Sequence, residues 1–246
     1  MRFRFLAIPM AFSTFASLTP LCAEKSGAYM EGGFQYSTMM RGQSSTVGYQ
    51  PEGGFGAPGG YSIYGLSSSS YGEMYGLDTQ IGYKQFFGKS KRFGIRYYVT
   101  FAYQHGTFYS GRTDLDNFNY GGGADLLYNF FEGKNGVKTA GLFAGIALEG
   151  SSWLAAGQSG FTSAMNAINK LPGEHASMNT SYFQLPINLG FRTNFTKHQG
   201  LELGLRIPLV TNYYYKAVVD RGDEAGTHSV IFKRNFSVYM NYVINF

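Results

Sequence analysis

The sequence is poor in charge. Asp, Glu, Lys and Arg make up 14% of its 246 residues, against roughly 25% in an ordinary soluble domain. It has one cysteine, Cys22, and one tryptophan, Trp153. The net charge of +5 is spread along the chain, and the densest basic stretch, Lys89-Ser90-Lys91-Arg92, reads as a polar turn, so no nucleic-acid partner is expected. No spacing of His, Cys, Asp or Glu suits a metal, and no cofactor is expected. The glycine-rich stretch Gly53–Gly60 does not join a strand to a helix start, which excludes a phosphate loop. Beyond the N-terminal segment no apolar run is long enough to cross a membrane as a helix.

What is abundant is glycine, with 34 residues, and aromatic rings, with 22 Phe and 20 Tyr. The first 23 residues have the form of a secretory signal: Arg2 and Arg4, an apolar stretch Phe5–Leu18, Pro20 as breaker, and Leu21-Cys22-Ala23 as cleavage site. A mature chain starting at Glu24 then has no thiol.

The decisive pattern is alternation with period two. Phe93, Ile95, Tyr97, Val99, Phe101 and Tyr103 share one face of a segment; Gly94, Arg96, Tyr98, Thr100, Ala102 and Gln104 share the other. A strand between lipid and a polar lumen needs this arrangement. Seven more segments carry it, outward positions running Ala28–Tyr36, Tyr75–Tyr83, Phe118–Phe130, Ala140–Leu148, Phe183–Phe191, Leu201–Leu209 and Phe236–Phe246. Pro186 and Pro208 fall inside strands and are read as bulges. The links at 88–92, 132–137 and 196–200 are short. Those at 41–72, 106–116, 150–178 and 217–229 are longer and are read as surface loops. Eight strands with alternating short and long links predict an all-β transmembrane eight-stranded antiparallel up-and-down barrel, residues 24–246, in the outer membrane of a bacterial cell.

Inward positions carry both signs. Counted from the short turns, Glu31, Lys84, Arg96, Asp125, Arg192 and Arg206 come within a few residues of one height and are expected to form one ion-pair layer that plugs a narrow lumen. A gated, porin-like passage through that layer is the alternative. Trp153 is expected to anchor at the outer membrane interface. Phe161, Ala164, Met165 and Ile168 recur at helical spacing, as in a short amphipathic helix over the barrel mouth. A lipid-modifying enzyme is a second alternative: His105, with Ser110, Asp114 and Asp116 nearby and Ser151 and Ser152 at another strand end, is the residue such chemistry would use. No enzyme is the expectation. The Tyr-, Ser- and Gly-rich stretch around Gly53–Gly60 and Ser67–Ser70 suits adaptable contact with a protein or glycan.

Several blocks, among them Gly82-Tyr83-Lys84-Gln85-Phe86-Phe87-Gly88, Gly141-Leu142-Phe143-Ala144-Gly145-Ile146-Ala147 and Gly200-Leu201-Glu202-Leu203-Gly204-Leu205-Arg206-Ile207-Pro208, together resemble the Helicobacter outer membrane protein family. The resemblance covers most of the mature chain. It implies a barrel in contact with outer-membrane lipid and lipopolysaccharide, and, from larger adhesin members, a host glycan or protein as partner. This chain lacks their large extracellular insertion. The last strand, ending on Tyr242 and Phe246, resembles the signal read by the barrel-assembly machinery.

Overall fold

A computed structural model describes residues 24, 26–49, 62–88, 90–109, 114–133, 137–220 and 224–246. The expected signal, the Gly53–Gly60 stretch and Ser110 lie outside them. Eleven strands and one helix follow in chain order: β1 (Gly27–Tyr49), β2 (Ser62–Phe87), β3 (Phe93–Phe108), β4 (Asp114–Glu132), β5 (Thr139–Ala155), α1 (Gln158–Ile168), β6 (Glu174–Met178), β7 (Ser181–Gln184), β8 (Pro186–Asn194), β9 (Gln199–Pro208), β10 (Tyr213–Asp220) and β11 (Glu224–Asn245).

All sheet pairings are antiparallel, and β1 pairs with both β2 and β11, which closes the sheet. The closed ring has eight members, β1 to β5, then β7 with β8, then β9, then β11. Following directly paired residues once around, Gly27–Lys84–Arg96–Asp125–Gly145–Asn188–Arg206–Ser237–Ser37, the path leaves β1 at Gly27 and returns to it at Ser37. That shift tilts the strands, and strands of such small barrels typically lean about 35–45° from the axis.

Alternation decides which side chains face lipid. Ile81, Val99, Leu126, Ile146, Leu203 and Met240 are exposed, while Gln80, Arg96, Asp125, Glu149, Glu202 and Asn241, at alternate positions of the same strands, are buried. Apolar groups outside and polar groups inside is the reverse of a soluble sandwich, and lipid is the solvent that makes it stable. Tyr83, Tyr97, Tyr128 and Tyr242 face outward near the short turns, with Tyr83 stacked on Tyr97 and Tyr242 against Phe195. Tyr36, Tyr75 and Tyr103 do so at the other end, with Tyr36 on Tyr75 and Tyr103 on Phe118. These are the two aromatic girdles of a membrane-spanning barrel.

The strands run past their expected ends. β1 continues to Tyr49 and β2 begins at Ser62, so most of the stretch read as a loop at 41–72 is a two-stranded extension. The 217–229 stretch is largely the β10–β11 hairpin, and the 150–178 stretch holds the end of β5, α1 and β6. Between 106 and 116, β3 reaches Phe108 and β4 starts at Asp114.

Two further expectations are corrected. The prolines are not bulges: Leu185 interrupts the sixth strand between β7 and β8, Pro186 opens β8, Pro208 closes β9, and the two prolines sit opposite one another. Each lacks a donor for the ladder, so both strands break at the same place. Among the described residues the register shifts lie elsewhere, at Thr38/Met39 against β11, at Asn129/Phe131 and at Tyr213/Tyr215. Trp153 is not an outer anchor; it is buried. It shares the inward phase of β5 with Phe143, Glu149 and Ser151, and register outweighs a tryptophan's general preference for the interface.

Candidate functional site

Charged, polar and apolar side chains line the lumen in successive levels. At the end of the short turns Glu24, just ahead of β1, turns its carboxylate under the barrel. Arg192 Nη1 donates to Glu24 Oε1 at 3.0 Å and Arg192 Nη2 to Oε2, while the same Nη2 donates to Asn129 Oδ1 at 2.7 Å. Lys84 Nζ lies 3.8 Å from Glu24 and donates to Asn245 Oδ1 at 3.0 Å. Burial alone would raise the Glu24 carboxyl, but the charges of Arg192 and Lys84 outweigh it and hold it down at about 2.

One step higher, Arg96 gathers three carboxylates. Its Nε donates to Asp125 Oδ2 at 2.8 Å, its Nη1 to both Glu202 oxygens at 2.7 Å, and Glu31 Oε2 lies 3.6 Å away. Higher again, Arg206 Nη1 donates to Asp78 Oδ1 at 3.1 Å and its Nε to Asn188 Oδ1 at 3.1 Å. Glu149 stands 3.8 Å from Arg206 and 3.9 Å from Arg234. Asn241 Nδ2 ties the two levels together, donating to Glu31 at 3.2 Å and Asp78 at 2.8 Å.

The six residues expected in one layer therefore occupy three. Lys84 and Arg192 meet at the bottom, Glu31, Arg96 and Asp125 in the middle, and Arg206 above. Their paired register line climbs as it circles the barrel, because the strands lean; counting residues from each turn ignores that climb. Sequence reasoning left Glu24 and Arg234 out of the lumen altogether. Glu24 precedes the alternating pattern, and Arg234 lies beyond the bulged Asn235, which reverses the phase of upper β11.

Rings complete the lower lumen. Arg96 lies 4.4 Å from the centre of the Phe143 ring and 5.5 Å from that of Tyr98, and Arg206 5.2 Å from Tyr239. Glycines make room for them. A methyl group at Gly204 would overlap the Tyr239 ring, and one at Gly123 would overlap Tyr98. Above the charges comes a belt of hydroxyls and amides, in which Ser37 Oγ donates to Gln104 Oε1 at 2.8 Å and lies 2.6 Å from Ser237 Oγ. Above that belt the interior turns apolar, with Met39, Met74, Phe108, Trp153 and Phe232 in one cluster. Helix α1 closes it, laying Phe161, Met165 and Ile168 on the cluster at the spacing the sequence predicts.

On the outer surface His105 Nδ1 and Asp116 Oδ1 are 2.9 Å apart, and Tyr103 donates to the same oxygen at 2.9 Å. Asp114 accepts from Thr107 at 2.8 Å. Ser151 is buried in the lumen beside Asn117, and Ser152 donates to Ser181. Among the described residues no serine is hydrogen-bonded to His105, and no group of three His, Cys, Asp or Glu is placed to hold a metal. At the carboxyl end the Phe246 amide donates to Ala28 O at 3.0 Å, with its ring exposed beside the lower girdle.

A closed sheet with a greasy outside, a charged inside and two aromatic girdles fits one family model, that of the Helicobacter outer membrane proteins, over residues 78–246. The chain belongs to the Helicobacter outer membrane protein family. It is a β-barrel of the bacterial outer membrane. No curated protein matches it. Among solved structures it is similar to the outer membrane protein OprG of Pseudomonas aeruginosa, at 11% identity over 92% of this chain and 99% of that one, with a TM-score of 0.45. It is similar also to Ail, the attachment invasion locus protein of Yersinia pestis, at 14% identity over 85% and 98% with a TM-score of 0.30, and to Neisserial surface protein A, at 12% over 86% and 99% with a TM-score of 0.32. At these scores the fold rests on the closed pairing of the strands themselves.

Proposed function

We propose that this family member is a sealed, non-catalytic barrel whose work is done by the strands projecting outside the membrane. The observation behind this reading is the lumen: three levels of ion pairs, a belt of hydrogen-bonded amides and hydroxyls, an apolar layer and a helix stand in series along it. Each buried guanidinium is matched to carboxylates, and removing one partner of such a set typically costs about 3–5 kcal/mol, so the charges hold one another in place as a plug. The proposed partners are lipopolysaccharide at the upper girdle, the assembly machinery at Tyr242 and Phe246, and a host protein or glycan at the extension.

A second reading, a narrow porin-like passage, draws on one feature. The side-chain amides of Gln35 and Gln80 are buried and have no hydrogen-bond partner among the described residues, which calls for water between the charged levels. Planar-bilayer recording separates the two. The native chain is expected to show no steady openings, and Arg96→Ala, which releases Asp125, Glu202 and Glu31, is expected to admit intermittent ones. Steady openings of the native chain would establish the passage and end the sealed reading.

A further inference from the structure

Above the ring the sheet continues as β2–β1–β11–β10–β6, which leaves it two edges. The β6 edge is covered. Asn169, capping α1, donates to Ala176 O at 3.0 Å and accepts from Ala176 N at 2.7 Å, so a side chain occupies the main-chain groups that another strand would use.

Among the described residues the β2 edge is bare. β3 meets β2 only as far up as the pairing of Phe108 with Gly72, capped by a bond from the Tyr109 amide to Tyr71 O at 3.1 Å. From Ser62 to Ser70, β2 pairs with β1 on one side and with nothing on the other among the described residues. Main-chain groups alternate sides along a strand. Those of Ile63, Gly65, Ser67 and Ser69 therefore point the same way as those of Tyr71, off the edge.

Natural sheets usually protect such an edge with a lysine, a proline, a bulge or a cover. The segment Ser62-Ile63-Tyr64-Gly65-Leu66-Ser67-Ser68-Ser69-Ser70 has no charge and no proline, and its pairing with β1 shows no bulge. Beside it, on the face continuous with the lumen, Tyr64 and Leu66 are 72% and 80% exposed. On that face Val47, paired with Tyr64, borders a cleft of about 370 Å³ whose wall also includes Ile168, Tyr215, Ala217 and Val219.

We propose that the Ser62–Ser70 edge of β2 is a strand-addition site for an extended, uncharged segment of a separate polypeptide, with alternate apolar side chains packed beside Tyr64 and Leu66. The main chain supplies affinity in such a mode and the side-chain row supplies selectivity. A second copy in the same membrane does not fit. Both copies run β2 from outside toward the membrane, whereas closed pairing of one edge with itself requires antiparallel strands. The inference deepens the reading of a surface-interaction barrel and rests on it.

The test uses the full chain in lipid nanodiscs and a fluorescent peptide of alternating threonine and valine, long enough to cover Ser62–Ser70 and flanked by lysines for solubility. Anisotropy is expected to report binding, and the amides of Ile63, Gly65, Ser67 and Ser69 are expected to exchange with solvent roughly ten-fold more slowly with the peptide present. Gly65→Pro removes an outward donor without touching the ladder to β1 and is expected to weaken binding roughly ten-fold; heat-modifiable gel mobility checks that the variant is folded. Absence of binding by the native chain overturns the proposal, as do full affinity in a folded Gly65→Pro variant and amides already protected without peptide. Protection that rises with protein concentration would give the edge to a second copy and overturn it too. None of these outcomes bears on conductance, so the sealed-barrel reading stands or falls separately.

Discussion

Glu24 sits where chain meets lumen, and its ionisation is tied to folding. Its carboxyl lies at about 2 in the folded barrel against an ordinary 4.5. A lowered folded-state value means stability that is fully present above the ordinary value and is lost as pH falls through the folded one. The difference amounts to about 3 kcal/mol. Urea unfolding of the native chain and of Glu24→Gln should therefore differ by about that much near pH 5, and the difference should shrink toward zero near pH 2. A constant difference would place the Glu24 contribution in packing rather than charge. The middle of the lumen shows how far single residues were legible in sequence. Arg96 and Asp125 are inward by alternation alone. That Arg96 also takes Glu202 and Glu31, and lies against Phe143, depends on strand tilt, which no local pattern encodes.

Among the elements, the membrane-crossing parts of the strands were plain in the sequence because two solvents impose alternation: lipid on one face, polar lumen on the other. Their extensions were not. Beyond the upper girdle both faces of β1 and β2 meet water or one another, so Ser67–Ser70 looked like loop. The same loss of contrast hid β6 and β10. Helix α1 was visible because Phe161, Met165 and Ile168 repeat at helical spacing, and the structure shows what they cover. That contact carries the helix, which has no buried residue of its own and no side-chain N-cap bond. Met165→Glu sets a charge against the apolar cluster beneath α1 and should lift the helix. Trypsin cleavage after the exposed Lys170 is expected to speed up roughly ten-fold, with the barrel's gel mobility unchanged. An unchanged cleavage rate would show the helix held by other means. The buried position of Trp153 follows from the phase of β5, which overrides the interface preference of its residue type.

At the scale of the molecule, closure is what makes the outer surface tolerable in lipid, since no edge is left open within the membrane. The count of eight strands and the direction of each were legible. Where they break, at the paired Pro186 and Pro208, was not, because the sequence shows two prolines but not that they face each other. Removing Phe236–Phe246 takes away β11's pairing with both β9 and lower β1. Such a truncated chain should lose the mobility difference between unheated and boiled samples on a gel. If it kept that difference, the ring would close some other way.

The seam between β1 and β11 joins Tyr29 to Asn245, residues separated by nearly the whole chain. Loops this long close slowly, and the contacts that reward the closure form only when β1 and β11 meet. Until β1 meets β11, each presents an unpaired edge to its surroundings. Holding those two rows of main-chain groups apart from other chains until they meet is the demand that this seam makes on folding.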